Sequence, residues 1–300
     1  MLPEIKELRV TRNVDVVVDP LDTGHIYVYN RDSAEINIYN TFRGNLSKTF
    51  HVSQYAPMKT ELYVWSSKIF LFAFSARGGY YSLIAYGSAF DNRPSGEIID
   101  EFSTRDLYRE RALAGTKHGF VTTGGFLWLA VHPAAFNIFD LSDPIIRLVD
   151  SKGTPKTDFN LSMAYDVSAD TAFGDGRVAF KSENQDSYFI YKIGQDHRLI
   201  FVLRIDIPIT IAAATVSDSN NNSSNFAMIN EDTVIIYDRP EASLIAVKGF
   251  EPVGEDKYDA YYETGRSQLE WTHHVRDVSL TSTVIPAVLH GKSVVAVVSD

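Results

Sequence analysis

The chain has 300 residues, 45% of them hydrophobic and 22% charged, which is enough apolar material for a substantial core and too ordinary a charge content for wholesale disorder. Its 38 acidic residues outweigh 28 basic ones, and the net charge of −10 disfavours a nucleic-acid phosphate partner. No cysteine is present and Met occurs only four times, which excludes disulfides, thiolate nucleophiles and Cys-ligated metals and fits a thermophilic source.

The opening residues, Met1 to Glu7, contain no apolar leader-like run. No stretch approaches the ~18 apolar residues of a membrane-spanning helix. A soluble, cytoplasmic protein with no membrane partner is the expectation. Glu4–Val10, EIKELRV, reads as a strand. A hairpin follows: the runs His25–Asn30 and Glu35–Asn40 carry Ile26, Tyr27, Val28, Ile36, Ile38 and Tyr39, side chains suited to a pleated, half-buried surface. The turn-forming residues Arg31, Asp32 and Ser33 separate them.

The second run recurs as a tetrapeptide ending in a bulky residue: Ile36–Tyr39, Leu83–Tyr86, Phe136–Phe139, Tyr188–Tyr191, Val234–Tyr237 and, more weakly, Val294–Val297. The last residues lie 47, 53, 52, 46 and 60 positions apart. Periods near 50 are those of four-stranded propeller blades. An apolar run precedes each marker: Ile26–Asn30, Ile69–Phe74, Phe126–Val131, Arg177–Phe180, Asn225–Ile229 and Val284–Leu289. Another precedes that one: Asp15–Asp19, Glu61–Trp65, His118–Thr122, Leu161–Tyr165, Ile211–Thr215 and Asp277–Thr281. A fourth run follows five of the markers: Lys48–Val52, Glu97–Phe102, Ile145–Val149, Leu199–Ile205 and Ser243–Val247. The sixth repeat lacks one, and Glu4–Val10 is surplus, so pairing of the two would close a ring and remove an exposed edge.

The chain therefore resembles a β-propeller, all-β and six-bladed, closed by the N-terminal strand. Tyr27–Asn30 with Ile36–Tyr39 is similar to the YVTN-type repeats of some propeller families. A seven-bladed ring, the alternative, would need about 42 residues per blade, fewer than the spacings show. One domain over residues 1–300 is expected, with a loop insertion at Val253–Val275. Tyr39, Tyr86, Phe139, Tyr191 and Tyr237, recurring once per repeat, are expected in the packing between blades.

Between the repeats, Leu107–Ala114 reads as a marginal helix and Ser217–Asn225 as a polar loop. Val253–Val275 mixes acidic residues with Tyr258, Tyr261, Tyr262 and Trp271; a loop this long and this aromatic is expected to cover or bind something. No phosphate-binding glycine loop, GxSxG, HExxH or EF-hand pattern occurs. Asp166–Asp175 is acid-rich without EF-hand spacing and reads as a loop. His273 and His274 are adjacent with no third ligand in view. The sequons at Asn45, Asn160, Asn221 and Asn222 carry little weight beside the missing leader.

The resemblance implies that the first strand of each blade lines a central channel. The strand starts would then bring Asp15, Glu61, His118 and Asp277 to one mouth, with Leu161 and Ile211. Grouped carboxylates and an imidazole suit a divalent cation such as calcium, and lactonase-type propellers hold calcium in such a place. Leu161 and Ile211 depart from that ligand set. The sequence thus favours a scaffold without a cofactor, binding a protein partner or another subunit through Tyr261, Tyr262 and Trp271. A metal-dependent lactonase-type hydrolase and a structural or virion component are the alternatives.

Overall fold

The computed structural model describes residues 14–52, 59–75, 80–103, 119–132, 135–142, 146–153 and, beyond these, residue 194 and the strand residues given below. Every regular element among the described residues is a strand. Two compact units divide the chain: Met1–Ala112 with Val121–Lys152, and Leu113–Phe120 with Gly153–Asp300. The first holds two sheets and most of a third, and the second holds three more.

The first unit begins with β1 (Val14–Asp19), β2 (Asp22–Asn30), β3 (Glu35–Asn40) and β4 (Leu46–His51), hydrogen-bonded in that order. Next come β5 (Lys59–Trp65), β6 (Lys68–Ser75), β7 (Tyr80–Ser88) and β8 (Asp100–Ser103), again sequential. The third sheet orders β9 (Gly119–Val121), β10 (Phe126–His132), β11 (Ala135–Asp140) and β12 (Arg147–Gly153). This up-and-down order is that of a propeller blade.

Alternation along the middle strands builds the core. On β6, Ile69, Leu71 and Ala73 join Tyr27, Tyr29, Ile36, Ile38 and Phe50 of the first sheet. Phe70 and Phe72, at the intervening positions, join Leu127, Leu129 and Phe139 of the third. Successive strand side chains point to opposite faces, so one apolar strand serves two neighbours at once. That is why the middle runs are continuously apolar. The connector after β7 lies along the edge strand β4: Lys48 Nζ donates to the carbonyls of Ala89 and Asp91, and Ser95 Oγ accepts from His51 N–H. An edge covered in this way is shielded from pairing with another chain.

The second unit holds β13 (Ala164–Ala169), β14 (Arg177–Ser182), β15 (Ser187–Ile193) and β16 (Leu199–Asp206), in order. It continues with β17 (Phe226–Asn230), β18 (Thr233–Asp238), β19 (Ser243–Gly249) and β20 (Ser267–His274), then with β21 (Thr283–Leu289) paired to β22 (Lys292–Val298). Tyr188, Ile190, Leu203 and Ile205 pack with Val234, Ile236, Ile245 and Val247.

Several expectations need correcting. The marker tetrapeptide forms the third strand of sheets one to four but the second strand of the fifth, because β17 takes the first place there, beside β13 and β21. The second and third strands of a blade are both apolar on two faces, so the sequence alone does not distinguish them. The expected loop Val253–Val275 contains β20, paired with β19 from Ser243↔His274 to Gly249↔Ser267. Asp166 to Ala169 belong to β13 rather than a loop. Tyr86, Phe139 and Tyr191 are buried as expected, whereas Tyr39 is only half-buried. Glu4–Val10, Leu107–Ala114, Ile211–Thr215, Ser217–Asn225 and the side chain of Tyr237 lie outside the described residues.

Candidate functional site

The first-strand starts are where chemistry is expected, and the first unit places two of them together. Asp15 is on β1 and Glu61 on β5, and β1 lies beside β5. The Asp15 carboxylate accepts the Leu62 N–H at 3.1 Å, so it reaches across the junction to the residue following Glu61. Arg31, from the β2–β3 turn, sets a guanidinium nitrogen 3.5 Å from the same carboxylate oxygen. Its Nε donates to the Thr60 carbonyl at 3.0 Å and its Nη1 to that of Val14 at 3.4 Å. Thr60 Oγ1 lies 3.2 Å from the Tyr29 hydroxyl. Glu61 is buried, and one of its oxygens accepts the Tyr63 hydroxyl at 2.6 Å.

One side chain outweighs these, and the sequence reading passed over it. Asp19, at the end of β1, is fully buried. Its Oδ1 accepts N–H groups from Leu21 and Ser66, both at 3.0 Å, and its Oδ2 accepts from Ser67 at 2.5 Å. Ser66 and Ser67 both have positive φ, 51° and 61°, in the two-residue turn between β5 and β6. Left-handed serines are costly unless held, and the buried carboxylate of the neighbouring sheet holds them. The run Val16-Val17-Val18-Asp19 before Pro20 was the available signal: a carboxylate closing an apolar strand at a turn.

Burial raises the Tyr27 phenol far above its ordinary range, with Asp19 and Asp22 adding to the rise and the nearby Ser67 side chain opposing it. Burial also raises Tyr29, against the pull of its Thr60 hydrogen bond and of Arg31. Both phenols are neutral in this junction and not bases; the Tyr29 hydroxyl meets Thr60, while the Tyr27 hydroxyl is buried with no hydrogen-bond partner among the described residues.

The other expected residues are not assembled with these. His118, Asp277, Tyr261 and Tyr262 lie outside the described residues, as do Leu161 and Ile211. Trp271 is on β20, opposite Ala246 of β19, and His273 and His274 take consecutive register positions opposite Leu244 and Ser243. Among the described residues no three His, Asp or Glu side chains are grouped as a metal would need. Asp15 and Glu61 supply acidic oxygens of the kind a hard divalent cation takes, but both already serve protein donors.

The sheets themselves decide the architecture: five successive four-stranded meanders, with first strand β1 beside β5, and β17 beside β13 and β21. The fold is of the β-propeller type. No protein-family model matches the chain, and no curated protein matches it. Solved structures do. The Swd1 β-propeller domain of Myceliophteria thermophila is 9% identical with a TM-score of 0.49, over 99% of each chain. Kluyveromyces lactis Hsv2 is 9% identical with a TM-score of 0.41, over 84% of this chain and 83% of its own. A functionally unknown Desulfotomaculum acetoxidans protein is 13% identical with a TM-score of 0.46, over 85% and 74%. At such identities likeness concerns fold and not activity. No helix among the described residues is long and apolar enough to cross a membrane.

Proposed function

We propose that the chain is a non-enzymatic scaffold: a single six-bladed propeller, its last blade completed by Glu4–Val10, that binds a protein partner or another copy of itself through Tyr261, Tyr262 and Trp271. The observation that carries this reading is the engagement of the first-strand carboxylates. Asp15 and Asp19 both bind backbone N–H groups of the next blade, so they act as structural acceptors. Six successive sheets support the blade count. Trp271 belongs to β20, the last strand in its sheet order.

Because residues 267–274 form a strand, removing all of Val253–Val275 would damage the fold. The test is Tyr261→Ser with Tyr262→Ser, which spares β20. Sedimentation velocity on the purified chain and cross-linking mass spectrometry in its cell extract should show loss of self-association or of the bound partner, with circular dichroism of the purified variant unchanged. Identical assembly in the variant contradicts the proposal.

A second reading rests on the meeting of Asp15 with the Glu61–Leu62 segment. It is a metal-dependent hydrolase of the lactonase type, with Asp15, Glu61, His118 and Asp277 at the channel and calcium as the cation. Thermal-shift measurements with Ca²⁺, Zn²⁺ and Mn²⁺ separate the two, because an ion bound to the native state raises its melting temperature.

A further inference from the structure

We propose that Asn45 is an acceptor for an N-linked glycan. Asn45-Leu46-Ser47 is the one of the four sequons that falls on described residues, and it sits where a transferase can reach it. Asn40 N–H donates to the Asn45 carbonyl at 2.9 Å and Gly44 N–H to the Asn40 carbonyl at 2.8 Å, closing a tight hairpin between β3 and β4. The Asn40 side chain fixes the tip by accepting the N–H groups of Phe42 and Arg43, at 3.0 and 2.9 Å. One asparagine of the turn is thus engaged in structure. The other is exposed, and among the described residues neither its amide nor the Ser47 hydroxyl has a partner.

Two further features leave room for a sugar. Gly44 adopts φ +64° with nothing within 4 Å of the position a Cβ would take. Ser47 is the extra residue of a bulge, since Tyr39 pairs with Leu46 and Ile38 with Lys48. Phe42, three residues before the acceptor, leaves 56% of its surface in water, and Leu46 leaves 50%. Both therefore leave apolar surface in water beside the acceptor. The C–H face of a first sugar on Asn45 would cover them, removing apolar area from solvent.

The transfer balances with a polyprenyl-diphosphate oligosaccharide as donor. Asn45 Nδ2 attacks the anomeric carbon, a C–N bond forms, and the bond from that carbon to the diphosphate oxygen breaks. The amide loses one proton and polyprenyl diphosphate leaves. Such transfer occurs on the far side of a membrane from the cytoplasm, so the same experiment tests the cytoplasmic expectation.

The experiment is intact-mass and glycopeptide mass spectrometry on the full chain purified from its natural source. The expected result is a hexose or N-acetylhexosamine increment on the peptide containing Asn45. In the same host it disappears in Asn45→Gln and in Ser47→Ala and persists in Ser47→Thr. An unmodified Asn45 overturns the proposal, as does sugar confined to Asn160, Asn221 or Asn222.

Discussion

The junction between the first two sheets and the junction between the second and third are held by different chemistry. At the first junction, buried or half-buried charged groups cross over: Asp15 to Leu62, Asp19 to Ser66 and Ser67, and Arg31 to Thr60. At the second, neutral and aromatic groups do most of the crossing. Trp65 Nε1 donates to the Thr123 carbonyl at 3.1 Å, Asn137 Nδ2 to the Tyr81 hydroxyl at 2.6 Å, and Phe102 meets Phe139 edge-on at 5.0 Å. Charge remains in a supporting place there, with Asp100 accepting the Ile146 N–H at 2.7 Å and Lys68 donating to the carbonyls of Leu141 and Ser142. The contrast teaches that a carboxylate at a blade start need not be a ligand for anything outside the protein. It can be the local answer to a problem of unsatisfied backbone donors, which another junction answers with an indole or an amide.

The contrast can be broken from either side. The largest effect is expected at the aromatic junction: Phe139→Ala, fully buried against Phe102, should cost about 3–5 kcal/mol in urea unfolding. A loss below ~1 kcal/mol would show that the ring is not packed as described. Next is Asp19→Ala at the polar junction. Three N–H groups lose their acceptor, and a loss of about 1–3 kcal/mol is expected, with faster hydrogen exchange at Ser66 and Ser67. Unchanged exchange there would remove the bridging role. Gly125→Ala should cost about 1–3 kcal/mol, because its φ is +85° and a Cβ would stand 2.7 Å from the Trp65 ring. Tolerance of that change would place Trp65 elsewhere.

The smallest effect is absent near neutrality and belongs to the polar junction alone. Burial raises the folded-state pKa of Tyr27 and Tyr29 above the ~10 of an unfolded chain. Below that value both states keep the phenolic protons and the stability is fully present. As pH rises beyond it, the unfolded chain loses protons that the folded one retains, and stability falls. Urea midpoints measured from pH 8 upward should therefore decline above about 10, and Tyr27→Phe with Tyr29→Phe should flatten the decline. An equally steep decline in the double variant would assign the effect to other groups.

Much of the blade pattern is legible in the sequence because the middle strands must be apolar on both faces. Ile69 to Phe74 and Tyr188 to Tyr191 are recognisable on that ground alone. The frame of the fifth sheet is less legible. Val234–Tyr237 suits either middle position, and the strand that settles it, Ser267–His274, sits behind an acidic, tyrosine-rich stretch. Its alternation of Leu269, Trp271 and His273 with polar neighbours was the missed signal. The site was less legible still. Asp15 and Glu61 are brought near each other, yet their donors come from Leu62 and Tyr63, contacts set by register between sheets and not by local pattern. Asp19 shows the same limit, since its partners lie 47 and 48 residues away.

The central proposal is that Asp15, at the start of β1, serves to join its sheet to the next one and not to hold a cation. The direct measurement is the melting temperature of the native chain and of Asp15→Asn, each in chelator and in Ca²⁺, Zn²⁺ or Mn²⁺. The account predicts a lower melting temperature for Asp15→Asn in chelator and no cation-dependent rise in the native chain. A rise with one of these ions that Asp15→Asn abolishes would contradict it.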